Sequence, residues 1–386
     1  MRSTMAVPIS QLYPRTKSMK LRVCLIIPTL DQGGAEKQIS LLARGLDRDL
    51  FEAIVIVLTR TGPRESELLE SGIAVHHIHK RAKLDPFAWL RLRKMLKQLT
   101  PDIVHTWLFA ANAYGRTAAL SAKVPVILGS ERSVDPWKNA FQFWIDRLLA
   151  KRTHGLTANS QGTIDFYQEH GFDSKLFHLI PNGIEPMEPS SLTRVQAYAR
   201  MGVATEKRII LSIGRLWVQK GYKDLLWAAE LLRVMREDIC YVIVGDGPDR
   251  ERLELFRDNI RGASQIFFLG HRTDARELLP HCDILWNGSL YEGQSNVILE
   301  AMQSGVAVVA SDIPGNRELI EHDRTGVLYP LGNVDDLTRF TNQLLKDEPR
   351  RKRIANDAQE HVQQQHSVDQ MIARHANLYR TKGSDL

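Results

Sequence analysis

The chain has 386 residues, a net charge of +6, 43% hydrophobic and 25% charged residues. That length exceeds one ordinary core and suits two domains of Rossmann size, and the hydrophobic share is that of a globular protein. No segment approaches eighteen uninterrupted apolar residues, which excludes a membrane-spanning helix, while the positive balance allows a nucleic-acid partner or an anionic membrane surface.

Residues 1–20 are basic but lack an apolar h-region, so they read as a flexible leader and not a secretion signal. Leu21 to Pro28 is a buried-strand run, and Thr29 to Gly34 is the loop after it. Apolar positions Ile39, Leu41, Leu42, Ala43 and Leu46 then mark a helix packed on a sheet. A strand, the pair Gly33-Gly34 and a helix form a βα turn through which backbone can approach a phosphate or a sugar. The third glycine of a dinucleotide fingerprint is missing, and a tight turn is the plain alternative.

Strand-like runs recur at Ala53–Leu58, Ile73–Ile78, Asp102–His105 and Val124–Leu128, with helical spacers between them. Such alternation implies a doubly wound parallel sheet, whose ligands bind at the carboxyl ends of strands. His105 stands at one such end, where a core or strand-end histidine is an equal reading. Ser130-Glu131-Arg132 closes the next strand. Arg132 suits an acidic or phosphate-bearing acceptor, or a structural salt bridge.

Two segments mix cations with aromatics. Lys80–Leu99 holds Arg81, Lys83, Arg91, Arg93, Lys94 and Lys97 around Phe87 and Trp89; Trp137–Arg152 holds Phe141, Phe143, Trp144, Arg147, Lys151 and Arg152. Either could lie on an anionic leaflet, or pack as a helix with a solvated basic face. Asn159 and the run Ile180-Pro181-Asn182-Gly183 read as strand ends turning into loops, and Pro181, Pro186 and Pro189 mark a linker. The expected division is 1–20 leader, 21–187 N-terminal domain, 188–365 C-terminal domain and 366–386 final helix.

Arg208–Gly214 opens a second sheet, followed by Arg215 and Lys220 beside Gly221. Two cations five positions apart at a glycine turn can converge on a diphosphate, where charge develops on a leaving group. Tyr241–Val244 leads into Gly245-Asp246-Gly247, a weak phosphate loop by itself. Gln265–Leu269 and Asp283–Trp286 supply further strands. Glu292 and Glu300 then flank a loop-to-helix junction, with Ser295 or Asn296 as N-cap and Val297, Ile298, Ala301 and Met302 at helical spacing. A helix N-terminus between two carboxylates offers N–H groups for an anion and acceptors for sugar hydroxyls. Gly305–Asp312 is another buried strand, and Val334–Leu345 and Arg351–Leu378 read as polar surface helices. Cys24, Cys240 and Cys282 lie far apart in apolar surroundings and read as reduced core thiols.

Glu292 to Met302 with Gly305 to Gly315 resembles the donor-site signature of the retaining glycosyltransferases of family 4, which have the GT-B fold. Gln294 departs from the pattern, standing where many relatives carry an aromatic or Leu. The resemblance extends over Gly33–Glu36, Gly214-Arg215 with Lys220-Gly221, and Gly315–Glu318, roughly Arg22 to Pro330 in all. It implies two Rossmann-like doubly wound parallel-sheet domains facing across a cleft, with the last helix crossing back to the first domain. It further implies Arg215, Lys220 and the backbone of Gly293, Ser295, Asn296 and Val297 as diphosphate ligands, with the Gly33-Gly34 loop reaching across the cleft to the donor and Gly245 and Gly247 near the nucleotide base or beneath the diphosphate. Glu300 would take the ribose hydroxyls, Glu292 the donor sugar, and His105 the donor sugar or reacting centre, although Trp107 replaces the second His of the common pattern. Arg132 and Asn182 are the acceptor-side candidates.

The expected activity is transfer of a sugar from a nucleoside diphosphate to a hydroxyl acceptor with retention, for cell-surface polysaccharide or lipid-linked oligosaccharide. No cofactor and no metal are expected, since no Asp-x-Asp motif lies near the donor elements. The expected location is cytoplasmic, peripheral on the inner face of the plasma membrane, with a glycan or lipid-linked acceptor and no nucleic-acid partner. The rivals are a GT-B-fold nucleotide-sugar epimerase, which would convert donor without acceptor, and a non-catalytic nucleotide-sugar or nucleic-acid binding protein.

Overall fold

Strands covered by helices on both faces read as unbroken apolar runs, and the chain lays down two sheets of that kind. The computed structural model describes residues 20–384. The leader expected over residues 1–20 lies outside them, apart from Lys20. The described chain divides into two units: one runs to Gly183 and resumes at Val368, and the other is Ile184–Ser367.

The first unit alternates β1 (Leu21–Thr29), α1 (Gly34–Gly45), β2 (Phe51–Arg60), α2 (Arg64–Glu70), β3 (Ala74–His77), α3 (Pro86–Leu99), β4 (Ile103–Trp107), α4 (Leu108–Ala122), β5 (Val126–Glu131), α5 (Ala140–Ala150), β6 (Gly155–Ala158), α6 (Gln161–Glu169) and β7 (Phe177–Leu179). Its sheet runs β3-β2-β1-β4-β5-β6-β7, every pairing parallel. One face buries Val23, Leu25 and Ile27; the other buries Cys24 and Ile26 beneath Leu92 and Leu96.

The second unit follows the same logic with α7 (Arg194–Met201), β8 (Arg208–Ile213), α8 (Tyr222–Met235), β9 (Ile239–Val244), α9 (Arg250–Asp258), β10 (Ile266–Phe268), α10 (Ala275–Leu278), β11 (Ile284–Asn287), α11 (Asn296–Gln303), β12 (Ala307–Ser311), α12 (Pro314–Arg317), β13 (Val327–Tyr329), α13 (Val334–Lys346) and α14 (Glu348–Gln365). Its sheet is parallel in the order β10-β9-β8-β11-β12-β13. Both sheets reverse their winding once, at β1/β4 and at β8/β11, and in open sheets of this kind ligands bind outside the carboxyl ends of the strands at such a reversal. All three cysteines are free and buried.

The stretch Arg351–Leu378 is not a plain surface segment. It breaks at His366–Ser367, where Ser367 bridges Ile184 and the Ile184 amide donates to the His366 carbonyl at 2.8 Å. Past the break, α15 (Val368–Gly383) belongs to the first unit, burying Met371, His375, Leu378 and Tyr379. Before it, α14 buries Ile354, Ala358 and Val362 in the second. Charged residues on the outer turns mask these apolar stripes in a reading of composition.

Candidate functional site

In the second unit, the loops after β8 and β11 meet because those strands are neighbours at the winding reversal. After β8 the chain passes Arg215, makes a 3-10 turn over Val218–Lys220, and enters α8 through Gly221. Gly221 has φ of 63°, and a Cβ there would lie 2.1 Å from the Gly288 carbonyl oxygen. No other residue permits that approach of the two loops. The Gln219 side-chain amide donates to the Tyr291 carbonyl (2.9 Å), and the Leu290 amide donates to the Gln219 carbonyl (2.8 Å).

This lacing brings Lys220 onto Glu292, whose Oε1 takes the ammonium as an ion pair. The Ser289 hydroxyl donates to the same oxygen at 2.8 Å. Lys220 and Glu292 side chains are 24% and 11% exposed, so the pair is shielded yet open at one side. Ser289 is in turn held from below: Ser311 Oγ donates to its carbonyl at 2.6 Å, and Asn316 Nδ2 donates to the Ser311 carbonyl at 2.9 Å. Arg215 is exposed, its guanidinium 5.5 Å from the Trp217 ring, with no carboxylate paired to it among the described residues. A cation already committed to a carboxylate and a second cation without one thus flank the same turn.

Gly293 and Ser295 are buried in the loop that enters α11 at Asn296, and the Ser295 side chain does not cap the helix. Val297 and Ile298 lie in the first turn, whose amides have no intrahelical acceptor. Glu300 follows one turn later, partly exposed. Gly245 is required by packing, since a Cβ would stand 1.9 Å from the Gly214 carbonyl oxygen. The Gly247 amide is taken by the Asp246 carboxylate at 2.7 Å, and the Leu216 amide donates to the Asp246 carbonyl at 3.0 Å. The 245–247 turn therefore secures the Arg215 loop.

In the first unit, Gly33 precedes α1 and Gly34 begins it, with Glu36 folded beneath. Glu36 accepts from Thr29 Oγ1 at 2.9 Å, and burial holds its carboxyl above the usual range. His105 is a correction. It is wholly buried, with Nδ1 at 2.7 Å from the Tyr379 hydroxyl and Nε2 at 3.1 Å from Thr157 Oγ1. Burial, then the charges of His375 and Arg132, push its pKa well below the usual value. With both ring nitrogens engaged inside the unit, it ties β4 to α15 and to Thr157 of β6, and stands in the core and not at an open strand end.

Arg132 and Asn182 do come together, the guanidinium Nη2 donating to the Asn182 Oδ1. Gln38 fixes that loop by donating to the Gly183 carbonyl (2.8 Å) and accepting from its amide (2.9 Å). The basic segments are less free than their composition implies. Arg91 donates to the carbonyls of Ile78 and His79, and Arg93 to Ser121. On α5, by contrast, Phe141, Trp144 and Leu148 are exposed at spacings of three and four, with Trp137 just before them. Sequence reasoning gave Ser289, Ser311, Asn316 and Tyr379 no role in the site, although Ser311 and Asn316 lie in the stretches that carry the resemblance; the sheet order, which sets β11 beside β12, brings the first three together.

A family model described as glycosyl transferases group 1 matches residues 198–361, and one described as glycosyltransferase family 4 matches residues 32–188. The chain is 29% identical over 323 residues to an N,N'-diacetylbacillosaminyl-diphospho-undecaprenol alpha-1,3-N-acetylgalactosaminyltransferase of Campylobacter jejuni, covering 78% of this chain and 83% of that one. It is 28% identical over 272 residues to a UDP-Gal:alpha-D-GlcNAc-diphosphoundecaprenol alpha-1,3-galactosyltransferase of Escherichia coli, covering 67% and 69%. Among solved structures, the Anabaena HepE protein in complex with UDP and glucose superposes with a TM-score of 0.84 at 22% identity, covering 94% of this chain and all (100%) of that one.

Proposed function

The chain belongs to family 4 of the glycosyltransferases and has their GT-B fold of two parallel-sheet units, and from that premise we propose that it transfers a sugar, with retention, from a nucleoside diphosphate to a hydroxyl of a lipid-linked glycan. The observation that carries this is the Lys220–Glu292 pair, built by loops that meet at the β8/β11 reversal, with unpaired Arg215 on the same turn. Arg215, Lys220 and the first-turn amides of α11 bind the diphosphate and stabilise its departure. Glu292 orients the donor sugar and Glu300 accepts from the ribose hydroxyls. The bond from the anomeric carbon to phosphate oxygen breaks as the acceptor oxygen bonds on the same face, and the acceptor proton passes to the departing phosphate. No metal enters this scheme, so transfer persists in excess EDTA.

The acceptor class is supported by the relatives, two of which are named for diphospho-undecaprenol-linked sugars. No helix among the described residues is long and apolar enough to cross a membrane. The exposed stripe Trp137, Phe141, Trp144 and Leu148, ending at exposed Lys151 and Arg152, suits seating on an anionic leaflet.

Thermal-shift measurement against UDP-, GDP-, ADP- and TDP-sugars tests the reading, since a ligand of the folded state raises the melting temperature. One base should shift it, and Arg215→Ala should remove the shift. No shift with any donor, with and without added acceptor lipid, refutes the assignment.

A further inference from the structure

Arg132 follows β5, and the register of β4, β5 and β6 sets it on one sheet edge with Trp107, Ser130 and Asn159. The residue is 9% exposed. Its guanidinium lies 4.5 Å from the Trp107 ring centroid and donates to Asn182, a neutral partner. No carboxylate pairs with it among the described residues, and its Nε and Nη1 have no acceptor. Two further donors of that edge, Trp107 Nε1 and the Ser130 hydroxyl, are buried without an acceptor as well. The near charged or titratable rings, His105 and His375, are ones whose protonation Arg132 itself opposes.

A buried cation left without a counter-ion is costly, and a protein that keeps one needs the charge for something. A hydrophobic residue of similar volume would fill the space at less expense. A salt bridge would explain it, and Glu131 is next in sequence. Glu131, however, turns into a separate buried network with Lys138, Asn112 and Tyr167. The surplus on this edge is in donors, held rigidly by a ring and an amide.

We infer that the first unit carries a recognition site for a phosphate-type oxyanion of the acceptor, with Arg132 as its cation and Trp107 and Asn182 holding the guanidinium fork. The inference rests on the transferase reading and sharpens it: the acceptor is selected for a phosphate near its reacting sugar. The unclaimed Nε and Nη1 each keep an N–H for an oxygen of the anion on a planar cation that stays charged when buried, with Trp107 Nε1 and the Ser130 hydroxyl as further donors on that edge. Asn159 Oδ1, also buried without a donor, is left to receive a hydroxyl beside the anion.

The test is calorimetric titration of the full chain with inorganic phosphate and with phenyl phosphate, at ionic strength matched with chloride. An Arg215→Ala/Lys220→Ala background silences the phosphate cations of the second unit. Phenyl phosphate should bind at least as tightly as inorganic phosphate. Arg132→Gln should weaken it at least tenfold, and Arg132→Lys should fall between. Without anion, Arg132→Gln should melt at or above the parent temperature, and phosphate should no longer raise it. Superimposable titrations of Arg132→Gln and parent overturn the inference, as does binding of inorganic phosphate with exclusion of the ester, which marks a free-anion site. Should Arg132→Gln not fold, Arg132→Lys and Asn182→Ala are read in the same way. Donor titration of the unaltered chain separates the two readings: absent donor binding fails the transferase reading, whereas intact donor binding with Arg132-independent phosphate binding fails this one alone.

Discussion

Glu292→Gln should move two measurements in opposite directions. In the structure Lys220 is committed to Glu292, so an incoming diphosphate must share the ammonium with a carboxylate. Two unit charges about 4 Å apart interact by roughly 4 kcal/mol at an effective dielectric near 20. Lys220 keeps 24% of its side chain exposed and the Ser289 hydroxyl shares the carboxylate, so about 1 kcal/mol is a realistic net competition. Gln preserves the shape and an acceptor for both partners but removes the charge. Free nucleoside diphosphate of the preferred base should therefore bind about fivefold more tightly, which is roughly 1 kcal/mol. Single-turnover transfer should fall about 100-fold, roughly 2.7 kcal/mol of lost orientation of the donor sugar. Calorimetry with the diphosphate alone and quenched-flow transfer provide the two readouts. Tenfold weaker diphosphate binding would show that Glu292 supports the site and does not compete within it. An unchanged transfer rate would remove it from the sugar.

Three further outcomes follow from the geometry. Glu300→Gln should lower donor affinity by about 1–3 kcal/mol through a weakened charged hydrogen bond, with the melting temperature nearly unchanged; equal donor affinity would take Glu300 out of the site. Gly221→Ala should cost at least about 2 kcal/mol of stability in urea, because the left-handed backbone strain adds to a Cβ 2.1 Å from the Gly288 carbonyl oxygen. Gly332→Ala has the same strain at φ of 79° with nothing within 4 Å, so it should cost only about 1 kcal/mol, and equal losses would deny the close approach. Finally, burial pushes the His375 pKa down to about 3 from an ordinary 6.5, so the unfolded chain binds the extra proton between those values. Stability is full above pH 6.5 and drains as pH falls toward 3, by about 1.4 kcal/mol per unit for each such histidine. His375→Gln should visibly flatten the fall in urea midpoint between pH 7 and 5.5; an unaltered slope would contradict it.

Much of this was legible from residues. Continuous apolar runs announced the strands because both sheet faces are covered, and a glycine, two cations and two carboxylates at fixed spacing announced the second-unit loops. His105 was not, because the hydroxyl that claims it, Tyr379, lies 274 positions away on a helix whose polar outer face hides its buried one. The freedom ascribed to Arg91 and Arg93 was overestimated, since composition does not show that backbone carbonyls and Ser121 take their donors. Arg132 was visible as a cation at a strand end, while its lack of an acid partner among the described residues is a fact of three dimensions.

The return of α15 to the first unit gives the chain a nested order of manufacture. Residues 368–383 leave the ribosome after all of the second unit, whose sequence is inserted in that of the first, so the second unit is complete while the first still lacks a wall of its core. Until that helix emerges, Phe51 has no Tyr379 ring against it and His105 has no Tyr379 hydroxyl. The inner unit can fold during synthesis, whereas the outer one stays an open, apolar-faced intermediate of the kind chaperones hold. Termination just before Val368 would thus yield a chain whose inserted unit is sound and whose other unit is prone to aggregate.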